Sequence, residues 1–460
     1  MIDNIIVFAY LLIILGMGIY YRSRSNNFKH YANLQGSKNT SKLILVATIF
    51  ASSIGGGTTF GISEKVFASS AAYTYGLILT IPIDFLIAIY IIPRIIKHHG
   101  AETVGDIMAS YYGKPGRYVA GVAAMIVSIG LLAAQISVSG RIFQYILAVD
   151  YIKAVIISYG IVIIYTTIGG LRSVVFTNVL QFFAMILAIP VISIVGIHQI
   201  GIYNFIEQLP TNKILFDNSN TLLQDTIAAT AGFAVMGLYP SFIQRILINA
   251  NYKETSKAIY IKSFIYALFL IFVTTNGLIA YHLYPEQTPQ QALPYLIEQI
   301  IPVGLQGFII VGLLAAVMST ADSDLNITSI TLVKDFLSPI FNLSNQGQLL
   351  LIARIANIII GSSAIIIALN FASVVDLVVF IAGFWSPMII VPLIFALFGV
   401  TISQKMMIFS SICGVSSFLL WEKWLANCLN LNLKGVFIGT MVNLLVFMIA
   451  KWLLNRQTKS

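Results

Sequence analysis

Charge is what this chain has least of. Only 9% of its 460 residues are Asp, Glu, Lys or Arg, where a soluble globular domain carries about 25%. A water-exposed surface cannot be built from so few charges, and a soluble protein is excluded. Cysteine is nearly missing too. The two thiols, Cys413 and Cys428, match no metal-ligand spacing and leave no disulfide framework to build. The five histidines include no paired metal-ligand motif, and His98-His99 stand beside Lys97 in a polar loop. No nucleophile motif stands out, so the chain is not read as an enzyme. Long polar stretches are lacking as well. The longest run from Arg22 to Lys42, Gly201 to Thr221 and Tyr284 to Pro294, none able to bury a core of its own. The tail after Lys451 is too short for an appended enzyme or signalling module.

What is abundant is apolar. Hydrophobic residues make up 58% of the chain, in runs long enough to cross a bilayer, which takes about 20 predominantly apolar residues per helix. There are about 13 such segments: 4–21, 43–68, 72–96, 116–148, 152–168, 173–199, 222–248, 258–283, 300–333, 349–369, 371–398, 403–422 and 433–454. The expectation is an all-α, polytopic protein of the cell (inner) membrane, one transmembrane domain over residues 1–460. Arg22 and Arg24 follow the first apolar run rather than precede it, the reverse of a cleaved signal peptide, so that run is read as a retained helix.

The formal charge of +9 points to topology rather than to nucleic acid. With the N-terminus outside and the C-terminus inside, 20 of the 26 Lys and Arg fall on inside-facing segments, Lys38, Arg117, Arg245, Lys262, Lys334 and Lys459 among them. That is the positive-inside bias.

Two interruptions mark where a site belongs. The second segment holds Ala51-Ser52-Ser53-Ile54-Gly55-Gly56-Gly57-Thr58-Thr59. The seventh holds Gly232 and then Gly237-Leu238-Tyr239-Pro240-Ser241. Five segments apart, they cross the bilayer in opposite directions, as in inverted-repeat transporters whose broken helices line the site. Unwound backbone at that depth is tolerated only where it lines a cavity or lies buried in protein. Freed carbonyls then become cation ligands, and freed amides attract anions. The competing reading is that Gly55-Gly56-Gly57 only lets helices pack closely.

The richest stretch is Gly312 to Asp335, which puts hydroxyls and carboxylates inside a membrane helix, where each needs a partner. Together with Ala51 to Phe67, Gly169-Gly170-Leu171-Arg172-Ser173-Val174, Thr177-Asn178-Val179-Leu180-Gln181, Gln244-Arg245 and Ala292-Leu293-Pro294, it resembles the sodium/solute symporter family over about residues 4 to 454. The resemblance implies a LeuT-like core of two inverted five-helix repeats, 43–199 and 222–398, with an extra helix at 4–21 and two more at 403–454. It places a sodium ion on the carbonyls of Ala51, Ile54 and Ala316 and the hydroxyls of Ser319 and Thr320. A small hard cation does want oxygen ligands, and Ala316 and Ser319 share a helix face. The alternative for both hydroxyls is back-bonding to the preceding turn.

One departure concerns stoichiometry. Where many members have an aspartate tied to a second sodium, this chain has Asn178, so one sodium per cycle is expected. Asn178, Gln181, Asp322 and Asp84 remain a possible second polar or ion site. Asp322 lies on the stripe of Ser319, Ser323 and Asn326. Asp324 is about 200° around the helix from it, so both cannot face one ligand, and it is placed towards cytoplasmic water. Asp84, costing about 2.5–3.5 kcal/mol if unpaired, is expected to pair with Arg141 or a nearby hydroxyl. Asp376 is placed at the outer end of its segment, in water.

Substrate contacts are expected from Ser53, Gly57, Thr58, Gln135 and Tyr239, with Tyr239 and Trp385 as aromatic walls or gates. The reading is a sodium-coupled symporter of a small organic solute: an amino acid, sugar, vitamin or choline-like compound. A transport-inactive membrane sensor of the same fold is the alternative. Ser53-Ile54-Gly55-Gly56-Gly57 lacks the acidic residue and Ser-Gly-Trp associated with proline members, and Ser53 replaces the Trp of choline-type ones. Membrane lipid is the only other partner expected, with no nucleic acid and no obligatory protein.

Overall fold

The computed structural model describes residues 2–34, 40–147, 149–214, 221–234, 236–369, 374–429 and 433–457. Lys38, Lys459 and the side chain of Asp376 lie outside them. The architecture is helical throughout these residues, as a lipid setting demands: backbone N–H and C=O groups must satisfy each other within each segment. Large apolar side chains crowd the outside. Ile5, Phe8 and Leu12 of the first helix, Ile2–Arg22, are exposed, while Val7, Tyr10, Leu11 and Ile14 turn inward.

Among the described residues, eight helices are long and apolar enough to cross a membrane alone, or nine when one bent pair is taken as a single span. The larger number expected from the sequence differs for definable reasons. Segment 222–248 is cut into Thr221–Phe233 and Pro240–Ile246, segment 371–398 runs as Val374–Trp385 and Val391–Leu397 joined by the π-helical turn Ser386–Ile390, and segment 403–422 gives the shorter helix Gln404–Leu420. Segments 152–168 and 173–199 run together as Tyr151–Ile200. A straight 50-residue helix would reach about 75 Å, more than twice the hydrocarbon thickness. Gly170 resolves this by leaving the helical region at φ 63° and ψ −163°, a conformation essentially reserved for glycine.

At the centre lies Leu305–Thr331, buried without interruption from Ile309 to Thr331. It packs on Tyr151–Ile200, on Val104–Leu147 and on Lys42–Ser53. The polar side chains from Ser319 to Thr331 are therefore withdrawn from lipid and bulk water, and each must be satisfied inside the bundle. Its far end is held by ionic contacts: Asp335 accepts from Thr103 at 2.9 Å and from Arg117 at 3.0 Å.

Both expected interruptions exist. Lys42–Ser53 and Gly57–Ala68 meet at a bend of 63°. Further along the chain Thr221–Phe233 gives way to a single tight turn, Met236–Leu238, before Pro240 starts a new helix. Close packing is part of the first break: a Cβ on Gly56 would sit 2.5 Å from Val138 Cγ2.

Gly170→Ala should cost about 1–3 kcal/mol from backbone strain alone, and its Cβ would also meet the Tyr31 ring at 2.5 Å. A clear fall in the thermal unfolding midpoint of purified protein is expected. An unchanged midpoint would contradict this account of the turn.

Candidate ion and solute site

The five residues placed on an ion converge. Lys42–Ser53 ends at Ser53, so the carbonyls of Ala51 and Ile54 lie at the helix end, where no following turn takes them up. The central helix crosses beside them. Ser319 Oγ donates to Ala51 O at 2.9 Å and to Ala316 O at 3.1 Å. Thr320 Oγ1 donates to Ile54 O at 2.8 Å and to Ala316 O at 3.3 Å. Three carbonyls and two hydroxyls thus meet where the two helices cross. The back-bonds to Ala316 are those anticipated for hydroxyls in membrane helices, and each hydroxyl also reaches across to the broken helix. The donor set fits a small monovalent cation, since every atom is an uncharged oxygen and both hydroxyl protons can turn away to present lone pairs.

Next to this junction is a cavity of about 60 Å³, room for a few waters or a small solute. Ser53, Gly57, Thr58, Gln135 and Tyr239 all line it, with Ser52, Thr80, Asp84, Ser241, Phe242, Lys262, Tyr266, Thr320 and Asp324. Trp385 does not line it. It is fully buried behind Tyr239, ring centroids 6.3 Å apart and edge-on. The freed amides are already occupied: Gly55 N donates to Thr58 Oγ1 at 2.8 Å and Gly56 N to Gln135 Oε1 at 2.6 Å. An anionic group would have to displace those side chains.

Three carboxylates need placing. Asp84 is paired with Lys262, Nζ to Oδ2 at 2.8 Å, and accepts from Ser263 at 3.1 Å. The expected pairing with Arg141 is not formed, because Arg141 is drawn to Glu64 at 3.3 Å. The expected neighbouring hydroxyl is there, but the main partner is a lysine. Lys262 is accordingly not an inside-facing surface charge; it is buried within Tyr252–Leu283. Its position inside the apolar run 258–283 was the available signal, since an ionisable residue at that depth marks a site. Arg245 is likewise withdrawn from solvent, fully buried.

Asp322 is held by hydroxyls, with Tyr165 at 2.8 Å and Ser323 at 3.2 Å. Arg245 donates to that Ser323 at 2.7 Å. Asn178 Nδ2 donates to Thr48 at 3.1 Å and Ser52 at 3.4 Å, and Ser52 meets Ser323 at 3.3 Å. Asn178 and Asp322 therefore belong to one polar cluster. Gln181 donates to Tyr10 at 3.3 Å, while Asp84 lines the cavity beside the junction. The fourfold set expected from the sequence divides accordingly. Asp324 corrects another expectation. It is fully buried and lines the cavity rather than reaching water, because the central helix is enclosed on every side at that level.

Comparison with known proteins follows from this geometry. The model of the sodium:solute symporter family matches residues 34–414. A sodium/proline symporter of Staphylococcus aureus (strain bovine RF122 / ET3-1) is 23% identical over 99% of this chain and 92% of that protein. The structure of a Na+-coupled sialic acid symporter, described as substrate-bound and outward-open with a novel Na+ site, superposes with a TM-score of 0.84 at 19% identity, covering 98% of each chain. MhsT in complex with L-phenylalanine gives 0.56 at 15% identity, over 90% of this chain and 99% of that one.

Removing Lys262 alone leaves Asp84 buried without its cation, a change worth about 3–5 kcal/mol for a buried pair. Lys262→Met should lower the thermal midpoint in detergent strongly, and adding Asp84→Asn should restore part of it. Equal midpoints for wild type and Lys262→Met would show the pair carries no structural weight.

Proposed function

Because the chain belongs to the sodium:solute symporter family, we propose that it imports a small organic solute, driven by sodium and working by alternating access in the cell membrane. The observation that carries this reading is the five-oxygen junction between Ala51, Ile54, Ala316, Ser319 and Thr320, sharing Thr320 with the adjoining cavity. Sodium is a transported substrate here. Its arrival would draw the broken helix and the central helix onto one centre and set the wall of the solute cavity. The two repeats, 43–199 and 222–398, then rock about that centre, with the N-terminus outside and the C-terminus inside, as the basic residues favour.

The driving force is adequate. About 2.3 kcal/mol per charge at 100 mV and about 1.4 kcal/mol from a tenfold sodium gradient together support roughly 500-fold accumulation. One sodium per cycle is supported by the polar cluster: it holds neutral Asn178 and brings a fixed guanidinium, Arg245, against Ser323 beside Asp322. A resident positive charge there opposes a further cation.

Thr320→Ala should raise the sodium concentration for half-maximal uptake severalfold in proteoliposomes, with the protein still folded. Unchanged sodium dependence would remove the site assignment, and binding without flux would favour the sensor reading. Dual-label uptake should give one sodium per solute; a ratio of two would overturn the stoichiometry.

A further inference from the structure

The cavity wall carries one carboxylate, Asp324, whose bonding within the protein is incomplete. Neither oxygen of Asp324 has a hydrogen bond of ordinary length, and Ser241 is the hydroxyl set against it. Asp84, the other carboxylate on the wall, is already matched by Lys262 and Ser263. Across the same cavity the Tyr239 hydroxyl is also buried without a hydrogen bond. Buried polar atoms are nearly always satisfied in folded proteins, and unsatisfied ones need an explanation. Two of them on the wall of one small cavity are explained together by a guest.

The guest's chemistry follows from what the two groups lack. An ionised carboxylate only accepts, whereas a phenol hydroxyl both donates and accepts. Asp324 therefore wants a donor, and in a low-dielectric cavity a charged donor far more than a neutral one. Nearby cations do not fill the role. Arg245 directs Nη1 to Gln244 at 2.9 Å and Nη2 to Ser323 at 2.7 Å and reaches Asp324 only through space, and Lys262 is committed to Asp84. Sodium at the junction is held through Thr320, one helical turn before Asp324, by uncharged oxygens of the adjoining wall.

We propose that Asp324 and Tyr239 receive a protonated amino group, so that the transported solute is an amine or amino acid that donates N–H bonds into this cavity. The assignment rests on the symporter reading for the word transported, but not for binding. Purified protein in saturating sodium is tested for thermal stabilisation, and proteoliposomes for uptake, with L-proline, L-serine, putrescine, glycine betaine, N-acetyl-L-proline, glucose and lactate. Proline and serine represent zwitterions, and putrescine a plain cation. Betaine keeps the positive nitrogen but has no N–H.

At least one protonated amine should stabilise the protein and be taken up, with betaine and the uncharged or anionic solutes ineffective. Asp324→Asn should raise its KM by about tenfold or more and leave the sodium concentration for half-maximal stabilisation unchanged. Tyr239→Phe, which removes only the hydroxyl, should raise KM by a smaller factor and serves if Asp324→Asn does not fold. Preference for betaine, sugar or lactate, no response to any amine, or an Asp324→Asn effect on sodium rather than on KM would overturn the proposal. Amine binding that is insensitive to sodium would instead sink the symport reading and leave this one standing.

Discussion

A hydroxyl or carboxylate enclosed in a membrane protein has no water to fall back on, and the polar arrangement follows from that constraint. The central helix, Leu305–Thr331, is buried on all sides yet carries Ser319, Thr320, Asp322, Ser323, Asp324 and Asn326. Every one of these needs something to bond. Ser319 and Thr320 find it in carbonyls that the neighbouring helix cannot use itself, because that helix ends at Ser53. The break and the hydroxyls are therefore complementary. A continuous helix at Ala51 to Thr58 would consume those carbonyls, and apolar residues at 319 and 320 would leave them stranded.

The two-residue spacing of Asp322 and Asp324 distributes charge around the same helix. Residues two apart on a helix point about 200° apart, which sends Asp322 towards Tyr165 and Thr177 and Asp324 towards the cavity. Arg245 stands between the two in electrostatic terms, acting on both through space while bonded to neither.

Much of this was legible in the sequence. The helical class came from composition, and both interruptions came from Gly55-Gly56-Gly57 and from Gly237 with Pro240, whose backbone preferences act locally. That Ala51, Ile54, Ala316, Ser319 and Thr320 come together followed from the resemblance and from the chemistry of the two hydroxyls. What stayed hidden depended on packing between distant segments. Asp84 and Lys262 are 178 positions apart, and the apolar run around Lys262 marks it as an intramembrane charge without naming its partner. Trp385 shows the same limit in reverse: an aromatic at the right level is a candidate wall, but only the packing reveals that Tyr239 stands in front of it. The burial of Asp324 was missed because helix periodicity gives its direction, not what encloses it.

Coupling between ion and solute has a simple physical basis in this arrangement. Thr320 belongs to both places, its hydroxyl bonded to Ile54 O at 2.8 Å and its side chain on the cavity wall. Ser53 and Gly57 on the cavity wall flank the same break that supplies Ala51 O and Ile54 O. On the proposed reading, a cation that tightens the break also positions the cavity wall, and a solute that fills the cavity holds the break in the geometry the cation prefers. By linkage each must favour the other's binding by the same free energy, typically about 1–3 kcal/mol where two sites communicate. No long pathway is needed, because the two sites share a threonine and one turn of unwound chain. Separating them would require moving the hydroxyl away from that turn, and with it the dependence of one substrate on the other.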